Sequence, residues 1–472
     1  MLSDKYLKQL TTAIKTVLLF AKKNNASCEA SGSINLGLSV NVRMQNIDTL
    51  EFNNNKKLHI TVYVDHHQGT VGTTELDKQS LEDAVNKSIS IAKFTSADPY
   101  SGLADPNLMA KNVMNLDLYH PENIDADFAI NTAKTCERIA LDYHPTIKNS
   151  DGAMFNYNSS FIALGNSHDF IGAYHATNYS LSCTAIAEQR GSMQRDGDFT
   201  VARCLQDLIN PEDIGKKAAI YATSRLGAKK IPTCKTRILF NPQVGSSLFG
   251  YLIAAISGNN ISNKSSFLLD KLNNKIFPEF INITDDPWMK RGLASAYFDM
   301  DGIATNKQSI ITNGILNTYL LNNYFAKKLQ LKPTGHASGI HNLFITNANI
   351  NNNADLNTLQ NSSNNIIHKN QSHSITDRWA GCANLIKQMG TGLIVTETIG
   401  HGVNLVTGDY SKGAFGFWVE NGKIMYPVEE ITIAGNLNDM FKNILAIGTD
   451  FDYQNNIING SVLIDDMTIA GS

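Results

Sequence analysis

The stretch Met389–Gly448 constrains the fold more than any other part of the chain, because glycines recur throughout it between short apolar runs. Such spacing is typical of strands joined by tight turns. Asn421-Gly422 separates the runs Gly413–Glu420 and Lys423–Pro427. Because asparagine and glycine both tolerate positive φ, this pair predicts a two-residue β-hairpin turn. The C-terminal part of the chain is therefore expected to be rich in β-structure.

The composition indicates a globular protein with more than one domain. The chain has 472 residues, of which 42% are hydrophobic, enough for a sizeable core. Its net charge of −3, without a basic stripe, argues against direct nucleic-acid binding. Six cysteines without a CxxC pair indicate reduced thiols rather than a disulfide framework. The apolar run Val17–Ala21 is too short to cross a membrane, so a cytoplasmic protein is expected.

Hydrophobic periodicity predicts an α+β fold, with two small α/β units followed by a large β-rich C-terminal domain. Helix, strands and helix follow one another in an N-terminal unit, 1–98, and in a middle unit, 122–229. The polar stretch between them, 99–121, is expected to be a linker. The β-rich domain covers 233–472 and includes an Asn-rich insertion at 350–374.

Each of these three units also carries local expectations. In the N-terminal unit, Asn53–Lys57 is expected in the connection between two strands. In the middle unit, Phe170–Tyr179 and Leu181–Glu188 are strand-like runs. The C-terminal domain is expected to begin with the strand Thr236–Phe240, followed by an apolar helix over Gly245–Ser257.

Three histidines and one aspartate in glycine-rich loops are the candidates for a metal site or a binding cleft. His336 and His341 lie in TGHASGIHN, His401 in IGHGV and Asp409 in TGDYS. Imidazole and carboxylate groups are zinc ligands, but this spacing matches no established ligand motif. The alternative, in which these side chains brace glycine-rich turns, is favoured. Neither a phosphate-binding loop nor a GxSxG nucleophile elbow is present.

Several sequence blocks resemble PmbA/TldE, the TldD-partner subunit of the TldD/PmbA metallopeptidase family. They are GVNLVTGDYSKGAFGFWVENG at Gly402–Gly422, PVEEITIAGNL at Pro427–Leu437 and GHASGIHN at Gly335–Asn342. The resemblance extends over nearly the whole chain and is strongest from Ser265 onward. It implies a subunit of a bacterial TldD/TldE metallopeptidase that acts in proteolysis and maturation of extended or unfolded peptides. The family also carries an indirect link to DNA gyrase control.

The same resemblance implies that the zinc site lies in the partner rather than here. TldD-like members carry HExxxH on the helix after the first strand of this domain. In this chain the positions of that motif fall at Gly250, Tyr251 and Ala255. The whole segment Val244–Gly258 contains no His, Cys, Asp or Glu, and no cysteine follows Cys382. We therefore expect no cofactor in this chain, zinc in the TldD-like partner, and no catalysis by this chain alone.

The expected partners are a TldD-like subunit and an extended peptide substrate, with a homodimer forming when the chain is alone. Two alternatives remain open at this point. The chain could be an autonomous hydrolase with an unrecognised metal site at the loop histidines. It could also be a binding protein unrelated to peptidase activity.

The Asn-rich insertion Ile350–Ser374 generates a first testable prediction. It has few apolar residues and cannot bury enough surface to offset the entropy of ordering it. Deleting most of it should leave the melting temperature nearly unchanged in differential scanning calorimetry. A large drop in melting temperature would show that the insertion packs against the rest of the protein.

Overall fold

The structure is a computed structural model that describes residues 2–347 and 378–471. The insertion Ile350–Ser374 lies outside the described residues. In the described part of the chain, no helix is long and apolar enough to cross a membrane.

The N-terminal and middle units build one antiparallel sheet of six strands, in the order β3-β2-β1-β4-β5-β6. Each unit contributes three strands, and β1 and β4 join them along the register from Glu29–Asn166 to Val42–Ala153. The sequence pattern predicted parts of these strands but not this union. The strands are β1 Ser27–Arg43, β2 Asn46–Val64, β3 His67–Thr73, β4 Ile147–Asn166, β5 Ile171–Gln189 and β6 Ser192–Ala202.

Four helices cover one face of this sheet: α1 Leu2–Lys23, α2 Lys78–Ala92, α3 Ala126–Asp142 and α4 Pro211–Ser224. Helices α1 and α2 share a core with Ile34 of β1, and α3 and α4 share one with Leu38 and Val40. These three β1 residues have the same parity, so all four helices lie on the same side. Asp77 caps α2, because its side chain accepts a hydrogen bond from Ser80 N–H.

The predicted connection at Asn53–Lys57 is wrong, because β2 runs through these residues. The chain turns earlier, at Met44 and Gln45, which both have positive φ. The buried Glu137 of α3 accepts hydrogen bonds from the N–H groups of Met44 (2.8 Å) and Gln45 (2.7 Å) and so stabilises this turn. A polar asparagine run was mistaken for a loop because this half of β2 has no buried face.

A second difference concerns β5. It is a single strand that contains both predicted runs, Phe170–Tyr179 apart from its first residue and Leu181–Glu188.

The predicted linker also contributes to a hydrophobic core. Its residues Met109, Leu116 and Leu118 are buried together with Leu164 of β4 and Phe298. Leu164 has the opposite parity to the β4 residues beneath the helices, so the linker and part of the C-terminal domain cover the second face of the sheet.

Among its described residues, the C-terminal domain contains two sheets and is rich in β-structure, as predicted. One sheet has the order β14-β13-β12-β7-β17-β15, and an additional β14–β17 pairing closes five of its strands into a ring. The other has the order β10-β9-β8-β11-β16. The strands are β7 Cys234–Phe240, β8 Ile281–Asp286, β9 Gln308–Thr312, β10 Ile315–Leu316, β11 Asn342–Asn347, β12 Gly392–Ile399, β13 Asp409–Glu420, β14 Lys423–Asn436, β15 Ile444–Ile447, β16 Ile457–Ile458 and β17 Val462–Ala470.

The predicted hairpin at Asn421-Gly422 is confirmed. Glu420 of β13 pairs with Lys423 of β14, which leaves the two central residues as the turn. Both have positive φ, 49° at Asn421 and 69° at Gly422, as this turn requires.

The helix α5, Pro242–Ala255, lies in the core that the two C-terminal sheets share. Its residues Phe249 and Leu252 are fully buried, together with Ile283 of β8 and Ile433 of β14. Four short helices complete the described part of the domain: α6 Gly258–Ser262, α7 Asn323–Lys328, α8 Ala383–Met389 and α9 Leu437–Lys442.

A half-buried carboxyl group between the first sheet and the C-terminal domain predicts an unusual pH dependence of stability. Glu29 of β1 accepts a hydrogen bond from the hydroxyl of Tyr63 (2.8 Å). Burial raises the pKa of Glu29 to about 7; the Tyr63 hydrogen bond opposes this shift, and the charges of Asp301 and Asp299 add to it. The folded protein therefore retains this proton at pH values where the unfolded chain, with a pKa of about 4.3, has released it. Stability from this group is lost as the pH rises from about 4.3 to about 7.

Glu29→Gln should consequently raise the free energy of unfolding at pH 8, on the order of 2 kcal/mol, and change it little at pH 4. Urea unfolding at both pH values measures the difference. Glu75→Gln, at an exposed position before α2, is the matched control and should unfold like the unaltered protein at both pH values. Equal stability of Glu29→Gln and the unaltered protein at pH 8 would contradict the prediction.

Candidate functional site

The loop TGHASGIHN, between α7 and β11, brings two of the candidate histidines onto one carboxylate. His336 Nε2 lies 3.1 Å from Asp285 Oδ2, and His341 Nδ1 lies 2.7 Å from the same oxygen. The second oxygen, Oδ1, accepts the backbone N–H of His341 (2.9 Å). All three residues are buried. The carboxylate of Asp285 therefore holds both ends of this loop.

Short-range features of the loop explain its shape. Gly335 and Gly339 have positive φ, and Gly339 N–H donates to the carbonyl of His336 (2.9 Å), which closes a turn. A second buried aspartate, Asp299, accepts the N–H of Ala337 (3.0 Å) through Oδ2. Two carboxylates thus hold the loop from beneath, and glycine supplies the backbone conformations that the turn requires.

Asp285 was not among the candidates from the sequence, although a signal for it exists. Ile281, Ile283 and Asp285 alternate along β8 and share its buried face. A charged residue at a buried position of a strand must be compensated by hydrogen bonds or by an opposite charge. The alternation that identifies the strand therefore also marks Asp285 as a residue with buried polar partners.

The electrostatics favour an ionised Asp285. Burial acts to raise the pKa of Asp285, but the hydrogen bonds from His336 and His341 outweigh it, so the net pKa lies below its ordinary value. A carboxylate oxygen can only accept, which places the ring protons on His336 Nε2 and His341 Nδ1. His336 Nδ1 faces the hydroxyl of Thr334 (2.9 Å). His341 Nε2 is buried and has no hydrogen-bond partner among the described residues.

These three side chains form a possible metal site, since their ligand atoms lie within 4.8 Å of one another. One carboxylate and two imidazoles are the ligand types that zinc binds. However, ligands at zinc-bond distances from a tetrahedral ion lie about 3.3 Å apart. The separation of 2.7 Å between His341 Nδ1 and Asp285 Oδ2 is a hydrogen-bond distance instead. As placed, the residues do not fit a tetrahedral ion, which would have to replace both imidazole hydrogen bonds.

The other two candidates lie elsewhere. His401 and Asp409 are exposed, and neither joins the buried cluster. Asp409 accepts hydrogen bonds from Thr407 Oγ1 (2.6 Å) and Asn436 Nδ2 (3.2 Å), and these bonds lower the pKa of its carboxyl group. It thereby holds the turn that precedes β13.

Helix α5 presents no metal ligand at the three positions that the sequence resemblance assigns to the zinc motif. Gly250 faces open space, where an added Cβ atom would contact nothing within 4 Å. Tyr251 is half-buried and packs edge-on against Tyr410, with ring centroids 6.2 Å apart. Ala255 is buried in the core. The outward side of the helix thus has room at Gly250, but it carries no group that could bind zinc or act on water.

Comparison with known proteins identifies the family. The PmbA/TldA metallopeptidase models match in three parts, domain 1 at residues 28–92, the central domain at 119–226 and the C-terminal domain at 233–471. The chain belongs to the PmbA/TldD metallopeptidase family. It is 40% identical over 464 residues to metalloprotease PmbA of Escherichia coli O157:H7. The aligned residues cover 98% of this chain and 96% of that protein. The resemblance noted in the sequence is therefore confirmed.

Two solved structures share the fold over 97% or more of the chain. A protein from Bacteroides thetaiotaomicron, described as a modulator of DNA gyrase, superposes with a TM-score of 0.85 at 28% identity and covers 100% of both chains. TldE from Thermococcus kodakarensis superposes with a TM-score of 0.80 and covers 97% of this chain and 100% of its own. At 18% identity the latter shows a common fold alone.

The carboxylate in this PmbA/TldD-family loop yields a prediction. Asp285→Asn should lower the free energy of unfolding at pH 7 by about 3 kcal/mol, because a neutral amide replaces an anion that accepts several buried hydrogen bonds. The folded pKa of Asp285 is depressed, so its stabilisation is present above the unfolded pKa of about 3.9 and is lost as the pH falls through the folded value.

The difference between Asp285→Asn and the unaltered protein should accordingly shrink in strong acid. Denaturant unfolding at pH 7 and at pH 3 measures it. Asp142→Asn, at the exposed end of α3, is the control and should unfold like the unaltered protein at both pH values. A difference that stayed constant down to pH 3 would contradict the assigned role of the Asp285 charge.

Proposed function

We propose that this chain is a PmbA/TldE-like subunit of a TldD/TldE metallopeptidase in the cytoplasm, without a zinc site of its own. Its partner is a TldD-like subunit, which holds the zinc. Together they act in proteolysis and maturation of extended or unfolded peptides. Alone, this chain forms a homodimer.

The observation that carries the proposal is the chemistry of α5. The three positions of the zinc motif are Gly250, Tyr251 and Ala255, and none has a side chain that serves as a zinc ligand of a catalytic site. The open space beside Gly250 supports a surface for a neighbouring chain or peptide on this side of the helix. In this function the chain helps to enclose a cleft and holds an extended peptide by backbone hydrogen bonds, while the partner supplies the activated water.

The cluster of Asp285, His336 and His341 favours a second candidate, an autonomous metal-dependent hydrolase. Its donor set matches zinc by type, and His341 Nε2 is buried without a partner among the described residues. The hydrogen-bond distance between His341 and Asp285 argues against it. The remaining alternative, a binding protein with no part in peptide hydrolysis, has no specific observation in its favour.

Reconstitution of the two subunits tests the proposal. Cleavage of an unstructured peptide should require both this chain and the TldD-like protein, and replacing the HExxxH glutamate of the partner should abolish it. Tyr251→Phe in this chain should leave the chemistry intact, because Tyr251 has no role in activating water. Equal cleavage by the partner without this chain would show that the partner's cleft is complete on its own.

Metal analysis of this chain alone separates the two candidates. Under the proposal, the dialysed chain contains no stoichiometric zinc and cleaves no peptide. Zinc that is present in the unaltered chain, lost in His341→Ala and retained in the exposed control His401→Ala would instead support the autonomous hydrolase. His336→Ala should then lose zinc as well.

A further inference from the structure

The first half of β2 is a free sheet edge among the described residues. Strand β3 pairs only with Leu58–Val64, whereas β1 pairs with β2 along its whole length. The outer side of Asn46–Lys57 therefore has no strand beside it. The first ten residues of β2, Asn46–Asn55, are all exposed. Unpaired N–H and C=O groups on such an edge are a template for another strand.

This edge is held in a regular conformation rather than left to fray. Its pairing with β1 is continuous from Gly32–Leu58 to Asn41–Thr49. Beyond a bulge next to Val42, Glu137 binds the N–H groups of the Met44–Gln45 turn. Both ends of the free edge are therefore fixed by the fold, which lowers the entropic cost of adding a strand to it.

The free edge also carries an apolar stripe. Leu50 lies opposite Val40 and Phe52 lies opposite Leu38, whose side chains are part of the core beneath the helices. Leu50 and Phe52 therefore lie on the helix-covered face of the sheet, but beyond the helices that cover it. Their side chains are 40% and 71% exposed. Exposed apolar side chains beside unpaired backbone N–H and C=O groups of a sheet edge indicate an interaction site.

We propose that this edge pairs with the same edge of a second copy of the chain. The charges along it favour self-pairing, because the first half is acidic, with Asp48 and Glu51, and the second half is basic, with Lys56 and Lys57. In an antiparallel arrangement the acidic half of each copy lies beside the basic half of the other. Two six-stranded sheets then join into one continuous sheet, with the helices of both copies on the same face.

The register of this pairing is set by the apolar stripe. A two-fold axis at Phe52 places the two Phe52 side chains opposite each other, with the two Leu50 side chains on the same face. An axis at Glu51 would instead oppose two glutamates, and an axis at Asn53 would place Leu50 opposite Lys56. The Phe52-centred register is therefore the one in which both charge and apolar contacts agree. This inference rests on the self-association part of the proposed function and assigns a surface to it.

Charge reversal tests the pairing. Asp48→Lys with Glu51→Lys makes the edge wholly basic, and Lys56→Glu with Lys57→Glu makes it wholly acidic. In analytical ultracentrifugation the unaltered chain should have the mass of two chains, and each double variant alone should have the mass of one. A one-to-one mixture of the two double variants should regain the mass of two chains, because an acidic edge then meets a basic one.

Cysteine cross-linking tests the register. Opposite Cα atoms of antiparallel strands lie about 4.5 to 5.5 Å apart, within reach of a disulfide. With the half-exposed Cys204 and Cys234 replaced by serine, Phe52→Cys should form a covalent dimer on mild oxidation that reductant reverses. Asn54→Cys is the control on the same face of the same edge. Its two copies face Leu50 in this register, so it should cross-link at least tenfold less.

Three outcomes would overturn the inference. A monomeric unaltered chain would remove the homodimer itself. A dimer that both double variants retain, without Phe52→Cys cross-linking, would place self-association elsewhere. Double variants that stay dimeric but lose the complex with the TldD-like protein would assign the edge to that partner. The reconstituted peptide assay is measured separately, so failure of this surface is distinguishable from failure of the proposed function.

Discussion

The pairing of β1 with β4 is the interaction on which the rest of the architecture depends. Its strands are separated by more than a hundred residues of chain, yet they pair over Glu29–Val42 and Ala153–Asn166. This pairing joins two small units into one sheet, and other elements pack against both of its faces. Four helices cover one face, and the linker with part of the C-terminal domain covers the other. It also makes β1 an interior strand and leaves the first half of β2 at the edge.

In the C-terminal domain, buried carboxylates fix the conformation of the histidine-containing loop. Asp285 and Asp299 hold the His336–His341 loop, and between them they accept imidazole and backbone N–H groups. Both carboxyl groups are buried, yet their pKa values shift in opposite directions. Burial raises the pKa of Asp299 to about 6, whereas for Asp285 two imidazole hydrogen bonds outweigh burial and lower the pKa. Asp299 also accepts backbone N–H groups, but burial and the charge of Asp301 outweigh these bonds, whereas at Asp285 the imidazole donors outweigh burial.

The family relationship acquires a physical meaning through α5. The helix has the position and burial of a structural element, enclosed by the two C-terminal sheets on its apolar side. Its outward side is open at Gly250 and carries an aromatic residue at Tyr251. A metallopeptidase fold can therefore be retained while the groups that hold a metal are absent from this helix. The proposed function requires this: one subunit keeps the fold, and the other supplies the metal ligands.

The sequence alone determined the features that depend on neighbouring residues. The Asn421-Gly422 hairpin, the longer helices and the lack of zinc ligands on α5 follow from local conformational preference and side-chain type. It also identified His336 and His341 as candidates, but it could not show that they meet. Tertiary structure decided that they share Asp285, that β1 joins β4, and that the Asn53–Lys57 run is strand rather than turn. These outcomes depend on contacts between distant segments, whose pairing is selected by the whole core and leaves no periodic signal in either segment by itself.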